Sequence, residues 1–139
     1  MKNESLQLLS VARKARLIEA GEEPVGAACR AGHGRLVLVA SDASPHTLRR
    51  AQSFVAGSKQ PLLHADCSKD ELGAAIGTGP CALAAITDVR LALAFVKTLE
   101  PAEKYAGLLD DLNERSKRVE QRRKEEKAHR ANVRKGKKK

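Results

Sequence analysis

The chain has 139 residues and a formal net charge of +9; 42% of it is hydrophobic and only 2% aromatic. That length fits one domain with an appendage, and its core must be aliphatic, since Phe54, Phe95 and Tyr105 are the only aromatics. The same scarcity speaks against nucleic-acid modules that stack bases on aromatic platforms.

In chain order, Ser5 to Arg16 reads as an amphipathic helix. Leu6, Leu9 and Ala12, with Leu8, Val11 and Ala15 alongside, face inward; Gln7, Ser10, Arg13 and Lys14 face out. Leu17 and Ile18 form a short strand before Gly21. A second helix opens in "GEEPV", where Glu22 and Glu23 suit the positive end of the helix dipole and Pro24 suits a first helical position. It closes near Gly32. "RLVLVA", residues 35–40, is a continuous apolar run, as expected of a strand buried on both faces.

Ser44 as N-cap and Pro45 at the first position start the next helix, which closes at Gly57. "PLLHA" reads as a second buried strand, and "SKDELGAAIG" as a short helix with a Ser68/Glu71 capping box. "CALAAIT" is a third buried strand, and Asp88 starts a helix running to Leu99. From Pro101 the chain continues helically into the tail. Strands alternating with helices predict an α/β domain: a three-layer α/β/α sandwich with a mixed sheet of about four strands. The domain is expected over residues 1–100, with a helical extension and basic tail over 101–139.

The charge is uneven. Residues 113–139 hold 13 Lys/Arg against 4 Asp/Glu, whereas residues 1–112 hold 13 of each. Val119 and Val133 are the tail's only large apolar residues, so it is expected to be an extended helix or a disordered arm with almost nothing to bury. A cationic arm of this kind commonly meets an anionic polymer, because counterion release needs no defined structure.

Cys29, Cys67 and Cys81 form no CxxC pair and read as buried reduced thiols. His33, His46, His64 and His129 do not supply zinc-site spacing, and no metal or cofactor is expected. "MKNESLQLL" lacks a signal-peptide pattern, and the longest uncharged run is broken by glycines and Pro80, so a cytoplasmic protein without a membrane partner is expected. No nucleotide-loop, metalloprotease or nucleophile-elbow motif is present. Asp42 and Asp88 follow strands, but read as a turn residue and an N-cap; the expectation is a protein that is not an enzyme. The "IGTGPC" loop could present backbone amides and the Thr78 hydroxyl to an anion, or be an ordinary tight connection.

The strings "LLSVARKARLIEAGEEPVGAACRAGHGRLVLVASDASPHT", "ELGAAIG" and "ALAAITD", in this order, resemble the ribosomal L-seven-Ae / L-thirty-e family, closest to its bacterial YlxQ-like branch, over residues 5–100. The resemblance implies an α/β/α domain that binds structured RNA, typically kink-turns in ribosomal or regulatory RNAs. In that family a Gly-x-Asn-Glu-x-x-Lys pattern at the second helix reads tandem G·A pairs. Here Gly21 is kept, while Glu23, Pro24 and Ala27 occupy the Asn, Glu and Lys positions. The kink-turn signature is therefore degenerate.

The expected RNA-contacting residues are Arg13, Lys14 and Arg16 on the first helix, Gly21, Glu22 and Glu23 at the second, Gly77, Thr78 and Gly79 in the loop, and Arg122, Arg123 and Lys124 in the tail. The expected partners are ribosomal or other structured RNA and ribosomal particles. The alternative is a protein-interaction adaptor that uses the acidic helix entrance, with the tail as a tether.

Overall fold

The computed structural model describes residues 1–137, with side-chain surroundings through residue 133; residues 138 and 139, the end of the cationic terminus, lie outside the described residues. Eleven elements follow in order: α1 (Asn3–Lys14), β1 (Ile18–Ala20), α2 (Glu22–Arg30), β2 (Leu36–Val39), α3 (Pro45–Ser58), β3 (Leu62–His64), α4 (Lys69–Ile76), β4 (Leu83–Ile86), α5 (Val89–Lys97), a 3-10 turn (Ala102–Tyr105) and α6 (Ala106–Lys137). The four strands form one mixed sheet in the order β1-β4-β2-β3, antiparallel except for the β2–β3 pair.

The strand sequences dictate two cores. Side chains alternate between sheet faces with period two. Leu36, Leu38, Ala84 and Ile86 point to one face and meet Leu9 and Ala12 of α1, Leu72 and Ile76 of α4, and Ala92, Phe95 and Val96 of α5. Val37, Val39, Leu83 and Ala85 point to the other and meet Val25 and Cys29 of α2 and Ala51 of α3. A strand covered on both sides has no polar face, which is why "LVLV" and "LAAI" are continuous apolar runs. The three-layer expectation holds.

The capping chemistry holds in three places. Ser44 Oγ accepts from the Thr47 amide at 3.2 Å. The Ser68/Glu71 capping box is formed in both directions. Asp88 Oδ2 accepts from the Leu91 amide at 3.2 Å. These are three starts of helices satisfied by side chains rather than water.

Several details differ from the sequence reading. α2 starts at Glu22, so Pro24 is its third residue rather than its first; the proline is tolerated because first-turn amides have no intrahelical acceptor. α3 runs past Gly57 to Ser58 and ends on Lys59, whose φ is +60°. β3 is an edge strand with His64 exposed, not a strand buried on both faces. On α1, Val11 is 52% exposed and Ala15 is also on the surface. Ser10 instead turns inward and donates to the Ala75 carbonyl of α4 at 2.6 Å.

The core does not stop at residue 100. Tyr105 and Leu112 are buried in the first cluster, and Leu108, Leu109 and Val119 pack against it. The extension begins as a structural helix laid on α5 and becomes an arm only later: Glu120 to Val133 are all exposed. An expected consequence is that Leu112→Ala, which empties a fully buried site, lowers unfolding free energy by about 2–5 kcal/mol. Denaturant unfolding would check this; a loss under 1 kcal/mol would mean that α6 does not belong to the cooperative unit.

All three cysteines are buried and free. Burial, aided by the nearby Glu71 charge, pushes the Cys67 thiol up to about 11 from 9.0, and burial also raises Cys29. The unfolded thiol ionises near pH 9 while the folded one holds its proton, so this contribution is complete below pH 9 and lost between about 9 and 11. Stability measured at pH 8 and pH 10 is expected to fall less in Cys67→Ala than in the parent chain. Equal declines would place the alkaline sensitivity elsewhere.

Candidate nucleic-acid interface

At one end of the sheet, the entrance to α2 and the α4–β4 loop come together although 56 residues separate Gly21 from Gly77 in the chain. Pairing of β1 with β4 brings them there: Ala20 lies opposite Ala84, and the Gly21 amide donates to the Leu83 carbonyl at 2.9 Å. Ala20, Gly21, Glu22, Thr47, Thr78, Gly79 and Pro80, with the first residues leading into β4, line an open cleft of about 290 Å³.

Gly21 turns the chain from strand into helix with φ +99° and ψ 160°, a conformation that side chains rarely adopt. The loop on the opposite wall is seated by Gly73. A Cβ built at Gly73 would lie 2.1 Å from the Gly79 carbonyl oxygen and 2.8 Å from its carbon. The amides of Gly77 and Thr78 both donate to the Gly73 carbonyl, at 2.9 and 2.8 Å, and the Thr78 hydroxyl donates to Gly79 O at 2.9 Å. Of the two readings of this loop, anion cradle or tight connection, these contacts favour the tight connection. They close the end of α4, and the loop offers shape instead.

The two acids at the entrance divide in function. Glu22 Oε1 accepts from the Thr47 hydroxyl at 3.2 Å, and Thr47 in turn accepts from Ser44 at 3.1 Å. Its other oxygen lies 3.7 Å from Arg50 Nε, and the Arg50 guanidinium sits 5.3 Å from the Phe54 ring centroid. Glu22 thus ties the start of α2 to the first turns of α3, as well as suiting the helix dipole. Glu23 is exposed and lies outside the cleft lining. Pro24 and Ala27 face a neighbouring shallow depression with Ala28, Ala31, Glu19 and His33, so this stretch of α2 presents an apolar surface.

Of the sequence-derived residues, Gly21, Glu22, Thr78 and Gly79 share the cleft, and Gly77 ends α4 beside it. Arg13, Lys14 and Arg16 do not join them. They precede Leu17, whose carbonyl accepts from Thr87 at the opposite end of β4. Arg122, Arg123 and Lys124 lie on α6, exposed and outside the cleft. Sequence reasoning missed Thr47, Arg50 and Pro80. "SPHT" announces a helix start, but nothing local in the string says that its threonine faces Glu22.

No family model matches the chain, and no curated protein matches it in sequence. Solved structures do. A protein of unknown function from Bacillus halodurans C shares 27% identity with a TM-score of 0.63, over 69% of this chain and 96% of its own. A Giardia lamblia 15.5kD RNA binding protein shares 21% identity with a TM-score of 0.58, over 78% of this chain and 87% of its own. The fold is one that an RNA-binding protein also uses.

Among the described residues, no helix is long and apolar enough to cross a membrane. The geometry of the loop makes one expectation sharp. Gly73→Ala must displace the Gly79 backbone, costing about 1–3 kcal/mol as an overpacked contact. Faster amide exchange across residues 77–82, with α3 unchanged, is the expected signature. Unaltered exchange and melting would show that the loop is not seated by this contact.

Proposed function

We propose that this chain is a non-catalytic RNA-binding protein of the ribosomal L-seven-Ae type, close to its YlxQ-like branch, that holds structured RNA at the cleft between Gly21–Glu22 and Thr78–Pro80. Ribosomal RNA and ribosomal particles are its natural targets. The convergence of these two segments carries the reading. The shared fold with an RNA-binding protein supports it, and so does the cationic excess concentrated in residues 113–139.

Recognition here differs from standard kink-turn reading. Glu23, Pro24 and Ala27 provide no amide donor, no polar head and no cation where the family pattern has them. The cleft supplies shape and the basic side chains elsewhere supply attraction, a division in which phosphate contacts position and few base contacts specify.

Two other readings are weaker. Asp42 Oδ1 accepts the Lys69 amide at 2.8 Å and Asp88 caps α5, so both strand-end acids are engaged in holding helix starts. The adaptor reading rests on Glu22 or Glu23; Glu22 already faces Thr47 and Arg50, which leaves the exposed Glu23 to carry it.

Fluorescence anisotropy with the full chain tests the proposal, using a kink-turn RNA and the same RNA with its G·A pairs disrupted. Binding of the kink-turn RNA is expected, weakening steeply as salt rises. The triple change Glu23→Asn, Pro24→Glu, Ala27→Lys is expected to tighten only the G·A-containing RNA, by about tenfold or more, since a good base contact is worth roughly 1–3 kcal/mol. A chain that binds neither RNA at low salt would sink the reading.

A further inference from the structure

The cationic residues of α6 read as a tail in the sequence, but the first of them lie against the body. Asp111, Arg115, Arg118 and Arg122 recur at four, three and four residues, the spacing that places side chains on one helix face. That face flanks the one that packs on the domain through Leu112, Ser116 and Val119. Together with Arg35 ahead of β2 and Lys59 at the end of α3, it lines an open groove of about 320 Å³, floored by Ser58, Val89 and Val119.

Arg115 is the joint. Its Nε lies 3.1 Å from Asp111 Oδ2, and its terminal nitrogen donates to the Lys59 carbonyl at 3.0 Å. This bolts α6 to the C-terminal end of α3 and neutralises the groove's one carboxylate. Arg35 donates to the Gly32 carbonyl at 3.3 Å. Among the described residues, none of Arg35, Lys59, Arg118 and Arg122 has a carboxylate oxygen within 4.0 Å. Four cations held by three different segments, without counter-charges, make a site of strongly positive potential that is not on the cleft. The cleft sits at the start of α3 and the groove at its end, about 18 Å away along the helix axis.

We propose that this groove binds the phosphodiester backbone of an RNA stem, independently of the cleft. The choice of RNA as the polyanion rests on the function proposed above; the groove itself does not depend on how the cleft reads its target. Three features favour a polymer over a small anion. The groove is open, so any single ion contact is screened by water. Arg115 to Arg122 spans about 10 Å of helix, long enough to meet more than one phosphate along a strand. The wall then continues into the exposed remainder of α6, with Arg123 and Lys124 next in sequence, so a strand leaving the groove stays beside cations.

The test uses the full chain and an RNA hairpin with an uninterrupted stem, which offers phosphates but no kink. Affinity is measured across a salt series for the parent chain, for Arg118→Ala/Arg122→Ala, and for Lys117→Ala/Lys127→Ala, which removes equal charge from exposed α6 positions outside the groove lining. The groove pair is expected to make the slope of log affinity against log salt shallower by about 1.8, from roughly 0.9 per phosphate contact, and the second pair by less than half of that. Equal effects of the two pairs would overturn the proposal, leaving a diffuse cationic helix.

Polyglutamate bound with the same dependence on Arg118 and Arg122 would also overturn it, making the groove a protein-docking site. Failure to bind either the hairpin or the kink-turn RNA would remove the RNA function and the groove together. Indifference to the G·A pairs, with the groove dependence intact, would count against the cleft reading alone and support the groove.

Discussion

Everything in this fold depends on four short strands being covered from both sides. β2 and β4 contribute only four residues each, all buried, and neither could stand as part of an open sheet of that size. Their alternating side chains feed two separate aliphatic clusters, one under α1, α4 and α5 and the other under α2 and α3. Phe95 is the one fully buried aromatic, in the first cluster, and most of both clusters is built from smaller aliphatic side chains. Stability comes chiefly from Leu, Val, Ile and Ala removed from water on both faces. Because β1 pairs with β4 in this sheet, the loops at their ends are brought together to line the cleft.

The acidic helix entrance is explained by the same constraint. α2 and α3 lie on one sheet face, and Glu22 connects their N-terminal turns through Thr47 and Arg50. A carboxylate here accepts from Thr47, pairs with the Arg50 charge and suits the dipole of α2. The pair of acids is therefore not one feature. One member is a structural tie, while Glu23 is a solvent-facing side chain. On the proposed RNA reading, this end offers Gly21, the Thr78–Pro80 loop, an apolar stretch at Pro24 and Ala27, and the exposed Glu23 carboxylate.

On the same reading attraction comes from elsewhere, and shape and positive charge lie apart in space. α6 starts as a core helix through Leu112 and Val119, lines the groove with one cationic face at Arg115, Arg118 and Arg122, and leaves the body as an exposed arm. On the proposed reading, the shape-bearing end would discriminate and the cationic opposite end would supply phosphate attraction.

The sequence by itself determined the elements and layers. Period-two and helical patterning, Ser44, Ser68 and Asp88 as caps, and unbroken apolar runs at 36–39 and 83–86 are local signals, and local signals are set by backbone chemistry that the string displays. It also displayed Gly21, Glu22, Thr78 and Gly79 as candidates. Only the tertiary structure decided which of them meet. β1–β4 pairing brings Gly21 to the loop and leaves Arg13, Lys14 and Arg16 at the other end of the strand, and the Gly73 carbonyl engages amides that looked available for an anion. The groove could not be read at all, because Arg35, Lys59 and Arg118 lie in segments far apart in sequence. Their proximity arises from where α6 packs, and that packing turns on Leu112, Ser116 and Val119 in a stretch whose composition announces only charge.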